Sequence, residues 1–296
     1  MSIYYTGRSV RATQNQVALQ EQGQVTERFA RAVEQLGSDQ INVRLGALYS
    51  LERLMRDSPA DLVTILQMLS GFVRERAKGQ PTDPYVPDAS PEPPKSKPPS
   101  RFSVYPRLPT DVQAGLTILG RIPSPQDHTQ HIDLSGANLT GADLSHGEFS
   151  RANFAGATLR GAKLFDGHFA SAILLDADLA YASVSAVDLD RAMLSGARLY
   201  GASVPGSSLR EAYAAGADLR QADLTHTTLV RTTLASAALE GSDLSRADIE
   251  EASFRGSNLE GAAFLGVKHA ETADFHCARL VDVRDFPDDV AAPIAC

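Results

Sequence analysis

The stretch HAETADFHCARL at 269–280 places His269, His276 and Cys277 in one short segment. Imidazole and thiolate are the donors that zinc-like cations select, so this is where the chain could do metal chemistry. Against that reading, the other cysteine, Cys296, adds no second pair at ligand spacing. The two cysteines give no disulfide framework and fit a reducing cytosol. The seven histidines are otherwise scattered, and catalysis requires groups that converge in a pocket. No catalytic, cofactor-binding or metal-binding residue is assigned, and the chain reads as a non-enzyme.

The element that carries most of these residues shows itself in GANLTGADLS at 136–145, two near-copies of one five-residue phrase. From Leu134 to Phe264 every fifth residue can be read without an insertion, giving 27 centres, of which 26 are Leu, Phe, Val or Ile and one is Ala214. Five residues of α-helix turn through about 500°, so such centres would smear around a helix. In a flat strand they would alternate between faces. The chain must therefore bend once per repeat. Two residues before each centre sits a small residue, with Ile132 and Val187 the only bulky ones. Glycine gathers two residues after it (Gly136, Gly141, Gly156, Gly161, Gly196, Gly201, Gly216), where a corner often needs positive φ. Each repeat is one side and one corner of a closed coil, and such units must stack to bury their apolar face.

These residues resemble the pentapeptide-repeat family, whose phrase is A-(D/N)-L-x-G with Leu or Phe at the centre. The resemblance implies a mainly β fold: a right-handed, four-sided parallel β-helix with four pentapeptides per coil, here preceded by a small α-helical module. On that basis the 27 centres make about seven coils, and a rod roughly 34 Å long at ~4.8 Å per coil. His146 and His226 then share a column four coils apart, about 19 Å, too far for joint ligation. The repeat phase shifts by one residue between Phe264 and Phe275, which marks 269–280 as a distorted last coil with VRDFPDDVAAP as its cover.

The first eighty residues have helical spacing instead. Val25, Phe29, Ala32, Val33 and Leu36 form one stripe ended by Gly37, and Val43, Leu45, Leu48, Leu51, Leu54 and Met55 form a second. Ser58, Pro59 and Asp61 open a third helix carrying Leu62, Ile65, Leu66, Leu69, Phe72 and Val73. The expected organisation is a helical module at 1–79 and a proline-rich linker at 80–106. A short helix and N-terminal cap follow at 107–130, then the β-helix at 131–286 and a tail at 287–296. The segment at 23–59, with RLPTDVQAGLTILGRI at 107–122, is similar to the helical part that precedes pentapeptide repeats in many actinobacterial proteins. In that group a membrane span often lies upstream. This chain shows no apolar run of about 20 residues, so a cytoplasmic protein is expected, with membrane association reserved for a longer form.

Function must then come from the outside of the rod. With a 20-residue coil, Arg191, Glu211, Arg231 and Glu251 fall in one column and should neutralise each other. Ile173, Met193 and Tyr213 fall in another, with Leu175 two residues beyond Ile173, next to the undersized centre Ala214. Outward apolar residues at coil spacing make a candidate docking patch for a protein partner or for the N-terminal helices.

The family resemblance also implies a second role, mimicry of DNA at a type II topoisomerase such as gyrase. Residues 131–286 hold 21 acidic against 13 basic residues, a net −8 equal to that of the whole chain. That sign argues against direct nucleic-acid binding. A mimic needs continuous acidic columns, whereas Asp178, Arg198 and Asp218 alternate; excess acid gathers late, at Glu240, Asp243, Asp248, Glu250, Glu251 and Glu260. The preferred expectation is a protein-interaction scaffold, with the gyrase-directed mimic and a membrane-associated adaptor as alternatives. The partner and oligomeric state are not legible.

Overall fold

The structure, a computed structural model, describes residues 20, 22–78, 105, 107–121, 132–288, 290 and 296. Apart from Tyr105, the expected linker at 80–106 lies outside them. The chain divides into two compact units between Leu69 and Ser70. That division falls inside the third helix, so Ser70 and the residues after it are grouped with the rod.

The first unit is built from helices. Helix α1 (22–36) buries Ala32 and Leu36, with Val25 and Phe29 half-buried on the same side. Val33, expected in that stripe, is 40% exposed, because one further residue turns it about 100° off the buried line. The helix closes at Gly37, whose N–H donates to the Glu34 carbonyl at 3.1 Å. Helix α2 (Ile41–Asp57) buries Leu48, Leu51, Leu54 and Met55 along its predicted face. Pro59–Asp61 forms a single 3-10 turn, fastened by the Ser58 hydroxyl donating to Asp61 at 2.7 Å, and helix α3 (Leu62–Ala77) follows.

The second unit is the rod. Bridging residues recur every fifth position, and each pairs in parallel with the residue twenty further on: Asp133 with Asn153, Asn138 with Thr158, Asp143 with Lys163, Glu148 with His168. Four such pairs per turn make a four-sided parallel β-helix. Each side contributes one bridging residue, so the sheets are stacks of single residues rather than strands with length.

Backbone accounting shows why the phrase has five letters. The centre donates forward, as Leu139 N–H to the Thr158 carbonyl at 2.7 Å. The residue before it donates back, as Thr158 to Ala137 at 2.9 Å. The corner residue donates forward, as Gly141 to Arg160 at 2.9 Å, and the next small residue closes the turn, as Ala142 to Leu139 at 3.0 Å. The fifth N–H, just after the centre, is taken by the Asp or Asn side chain just before it: Ser145 donates to Asp143 Oδ1 at 3.1 Å and Ala155 to Asn153 Oδ1 at 3.0 Å. These Asx turns are the physical reason for the D/N of the motif.

Corner residues are left-handed throughout, and the non-glycines among them, such as Ala186 at φ 55° and Arg191 at φ 57°, share the conformation of the glycines. Inside, the centres and small residues are buried together. The inward hydroxyls of Thr227, Thr232 and Ser257 donate to carbonyls of the coil at 3.2, 2.6 and 2.7 Å, so their burial leaves no polar atom wanting. At Ala214 the ladder runs on without slippage, its N–H donating to Thr233 at 2.8 Å.

Both ends are covered. Helix α4 (Thr110–Arg121) lies over the first coil, where the Gln113 amide donates to the Asp143 carbonyl at 2.7 Å and accepts the Asp143 N–H at 3.0 Å. One side chain thus takes the place of a missing strand. The Gly120 carbonyl accepts the Glu148 N–H at 2.7 Å, and a Cβ on Gly120 would stand 2.9 Å from the Phe149 ring, so only glycine permits that approach. The end of α3 joins this cover through the Arg74–Asp133 ion pair. At the far end the step lengthens from twenty to twenty-one, Ser253 pairing with Asp274. The added residue is absorbed by left-handed His269 and the 3-10 turn Ala270–Thr272. Phe264, Phe275 and Phe286 then close the core, with ring centroids 5.1–6.2 Å apart. Shielded ends suppress the edge-to-edge pairing that bare strands invite.

The expectation of unpaired cysteines is overturned: Cys277 and Cys296 form a disulfide, with Cα atoms 5.3 Å apart. Their separation in sequence hides a proximity that the corner at Cys277 creates. Among the described residues no helix is long and apolar enough to cross a membrane.

Candidate functional site

Ile173, Met193 and Tyr213 stand one above another on one side of the rod, bridged in parallel. Backbone bonds hold the three levels, Met193 donating to Ala172 and Tyr213 to Ala192, both at 2.9 Å. Met193 is 40% and Tyr213 58% exposed, while Ile173 and Leu175 are half-buried. The column is polar above and below, running from Asp133 and Asn153 to Thr233 and Ser253. It is thus an apolar band about three coils tall on a polar face. Its corner carries the Arg191–Glu211 ion pair at 2.9 Å. Sequence reasoning passed over Phe165, 48% exposed and set edge-on to His146 at 5.4 Å; its signal was a large aromatic immediately after a centre, where most repeats carry a smaller residue.

The charged columns keep their register but not all their partners. Arg191 pairs with Glu211 at 2.9 Å and Arg231 with Glu251 at 2.7 Å, both exposed and so worth little individually. Asp178, Arg198 and Asp218 are stacked, yet Asp178 takes Arg160 at 3.1 Å and Asp218 takes Arg220 at 2.8 Å. The guanidinium that reaches each carboxylate comes from the neighbouring column, because the residue after a centre leans toward the residue before one. Arg220 also lies over the Tyr200 ring, 5.6 Å from its centroid.

Of the late acidic residues, Glu251 pairs with Arg231, Glu260 with Arg279 at 2.9 Å and Asp248 with His269 at 2.8 Å. Glu240 accepts a hydrogen bond from Asn258 at 2.7 Å, Asp243 accepts the Ser245 N–H at 3.0 Å, and Glu250 is exposed. Burial pulls the Asp248 carboxyl upward, but hydrogen bonds from His269 and the Glu250 N–H hold it below the ordinary carboxylate range. The same hydrogen bond to Asp248, aided by its charge, raises His269 above the usual histidine value.

The metal candidates of the sequence are divided between two places. His276 and Cys277 converge with Cys296, their donor atoms within 4.8 Å of one another. His269 joins Asp248 and Glu250 instead. His146 meets Asp166 at 3.2 Å and joins no metal-ligating cluster among the described residues. In the first unit a cleft is lined by Arg28, Arg31 and Gln35 of α1 and Ser50, Arg53 and Asp57 of α2. Two of its three cations are answered, Arg31 by Glu27 and Arg53 by Asp57.

A four-sided parallel β-helix whose interior is filled by the repeat centres and small residues defines a β-solenoid. The model of the family described as pentapeptide repeats matches residues 132–169, 172–210, 206–241 and 229–267, in eight copies, all of them on the rod. No curated protein matches the chain. Among solved structures it is similar to HetL, a pentapeptide repeat protein involved in heterocyst differentiation regulation from the cyanobacterium Nostoc sp. strain PCC 7120. That match has 25% identity over 52% of this chain and 89% of that one, with a TM-score of 0.28. It is also similar to QnrB1, a plasmid-mediated fluoroquinolone resistance protein, at 23% identity over 55% and 79% of the two chains, with a TM-score of 0.27. A third is a pentapeptide repeat protein from the Arabidopsis thaliana thylakoid lumen, at 23% identity over 50% and 71%, with a TM-score of 0.11.

Proposed function

We propose that this protein is a non-enzymatic scaffold whose pentapeptide-repeat rod binds another protein through the Ile173–Met193–Tyr213 face. The observation that carries this reading is the exposure of Met193 and Tyr213 in a stacked apolar column on an otherwise polar side. Tyrosine supplies a large contact area at low conformational-entropy cost, and the flexible thioether of methionine adapts to the surface that covers it, which suits an anchor. The interior of the rod is occupied by the buried centres and small residues of its repeats, and several of its exterior carboxylates pair with arginines. That pairing also favours a scaffold over a DNA mimic, since Glu251 and Glu260 each sit beside an arginine and Asp248 beside His269.

The test is quantitative capture from bacterial lysate on the immobilised full chain, beside a variant carrying Ile173→Ser, Met193→Ser and Tyr213→Ser. A partner retained by the wild type should weaken by roughly thirtyfold in the variant, the effect of losing a hot spot of about 2 kcal/mol. Equal retention would remove this face from consideration. Salt-sensitive binding of purified gyrase, unaffected by the triple substitution, would move the assignment to the mimic.

A further inference from the structure

We propose that reduction of the Cys277–Cys296 disulfide opens a metal site formed by Cys277, Cys296 and His276, suited to a thiophilic divalent cation of the zinc class. The site lies on the distorted last coil. Cys277 occupies a left-handed corner at φ 59°, and the preceding His276 is held by its N–H donating to Asp274 Oδ1 at 2.9 Å. Two donors therefore sit on a turn whose conformation the repeat dictates, and Cys296 brings the third to it.

The spacing fits one ion. A tetrahedral cation with metal–sulfur bonds near 2.3 Å and metal–imidazole bonds of 2.0–2.1 Å sets sulfur and nitrogen about 3.6 Å apart and two sulfurs about 3.8 Å apart. The Cys296 sulfur is already 3.8 Å from His276 Nε2. The Cys277 sulfur lies within 4.8 Å of the same nitrogen, and the two sulfurs are free to separate once their bond is cleaved. Three protein donors leave a fourth position for water or a further ligand.

The chemistry balances without an internal electron source. Two equivalents of an external thiol reduce the disulfide to two thiols and are themselves joined as a disulfide. The two protein thiols then each release a proton on binding the cation. In the oxidised chain His276 is the one available donor of the three, so the same place holds no ion. Two thiolates and an imidazole select zinc-like ions over magnesium or calcium. The neighbouring Asp248–Glu250–His269 cluster serves as an internal control, since it contains no sulfur.

The experiment titrates the full chain with Co²⁺ as an optical probe, then displaces it with Zn²⁺. Oxidised protein is compared with protein reduced by dithiothreitol and exchanged into reductant-free, oxygen-free buffer, with free thiols counted and folding followed by circular dichroism. The reduced chain should bind one Co²⁺ with a thiolate-to-cobalt charge-transfer band, at least about a hundredfold more tightly than the oxidised chain. His276→Ala should weaken binding by at least about tenfold, and His269→Ala should leave it unchanged. If His276→Ala does not fold, His276→Gln replaces it. A reduced, folded chain without the charge-transfer band overturns the proposal, as does affinity indifferent to His276 or dependent on His269.

Discussion

The rod's corners allow one conformational effect to be measured apart from all others. Gly216 has φ 67°, and a Cβ added there would meet nothing within 4 Å. Gly216→Ala therefore changes the backbone preference without a clash. Holding an L-residue in the left-handed region costs about 1–2 kcal/mol, and the narrower unfolded ensemble of alanine returns about 0.4–1 kcal/mol. The net loss should be roughly 0.5–1 kcal/mol. Ala186 is the mirror case: an exposed alanine at φ 55°, whose N–H donates to Pro205 at 3.1 Å and would still do so as glycine. Ala186→Gly should stabilise by a similar amount. For a domain of this size about 1 kcal/mol shifts Tm by roughly 2–4 °C, so scanning calorimetry should place the two variants on opposite sides of wild type, with the double variant near it. If Gly216→Ala melts with the wild type, or Ala186→Gly melts below it, conformational strain is not what governs the corners.

Three other outcomes are expected. Leu219 lies in an all-leucine internal column between Leu199 and Leu239, so Leu219→Asp places a carboxylate among leucines and should abolish the cooperative unfolding transition; an unchanged melting curve would refute the assigned interior. The Asp248–His269 pair should make stability depend on pH in two senses. The raised His269 contributes fully below about 6.5, the unfolded histidine value, and its share is lost as pH rises through the folded pKa; the lowered Asp248 contributes above about 3.9 and is lost as pH falls through its own. Denaturant titrations of wild type and His269→Gln should therefore converge at high pH, and a constant difference across neutrality would contradict the pairing. Gln113→Ala strips the Asp143 backbone of its substitute strand, and light scattering should show concentration-dependent association; a monodisperse variant would show that the first coil needs no such cover.

The rod was legible because its rule is local. A centre every five residues, a small residue two before it and an Asx just ahead of it specify side, corner and backbone partners within a few residues, and the twenty-residue register follows by stacking. The apolar column was readable for the same reason: once the coil length is known, Ile173, Met193 and Tyr213 must coincide. The helices of the first unit were likewise visible in apolar spacing, apart from Val33, whose single-residue offset carries it out of the buried stripe.

Contacts that depend on where side chains lean, or on where distant segments return, were not legible. Arg160 and Asp178 meet between adjacent coils, and only the lean of their side chains decides that Asp178 takes Arg160 and not Arg198 above it. The inclusion of the end of α3 with the rod follows from Arg74 reaching Asp133, fifty-nine residues away. Cys277 and Cys296 looked unrelated in sequence, yet a left-handed corner presents one to the other beside His276. By itself the amino-acid order determined the period, the interior and the outward columns, because each rests on steric and hydrogen-bonding needs met within one repeat. The tertiary structure alone decided the ion partners that cross between columns, the Arg74–Asp133 contact and the sulfur–imidazole cluster, because those energies arise between groups whose proximity no local periodicity encodes.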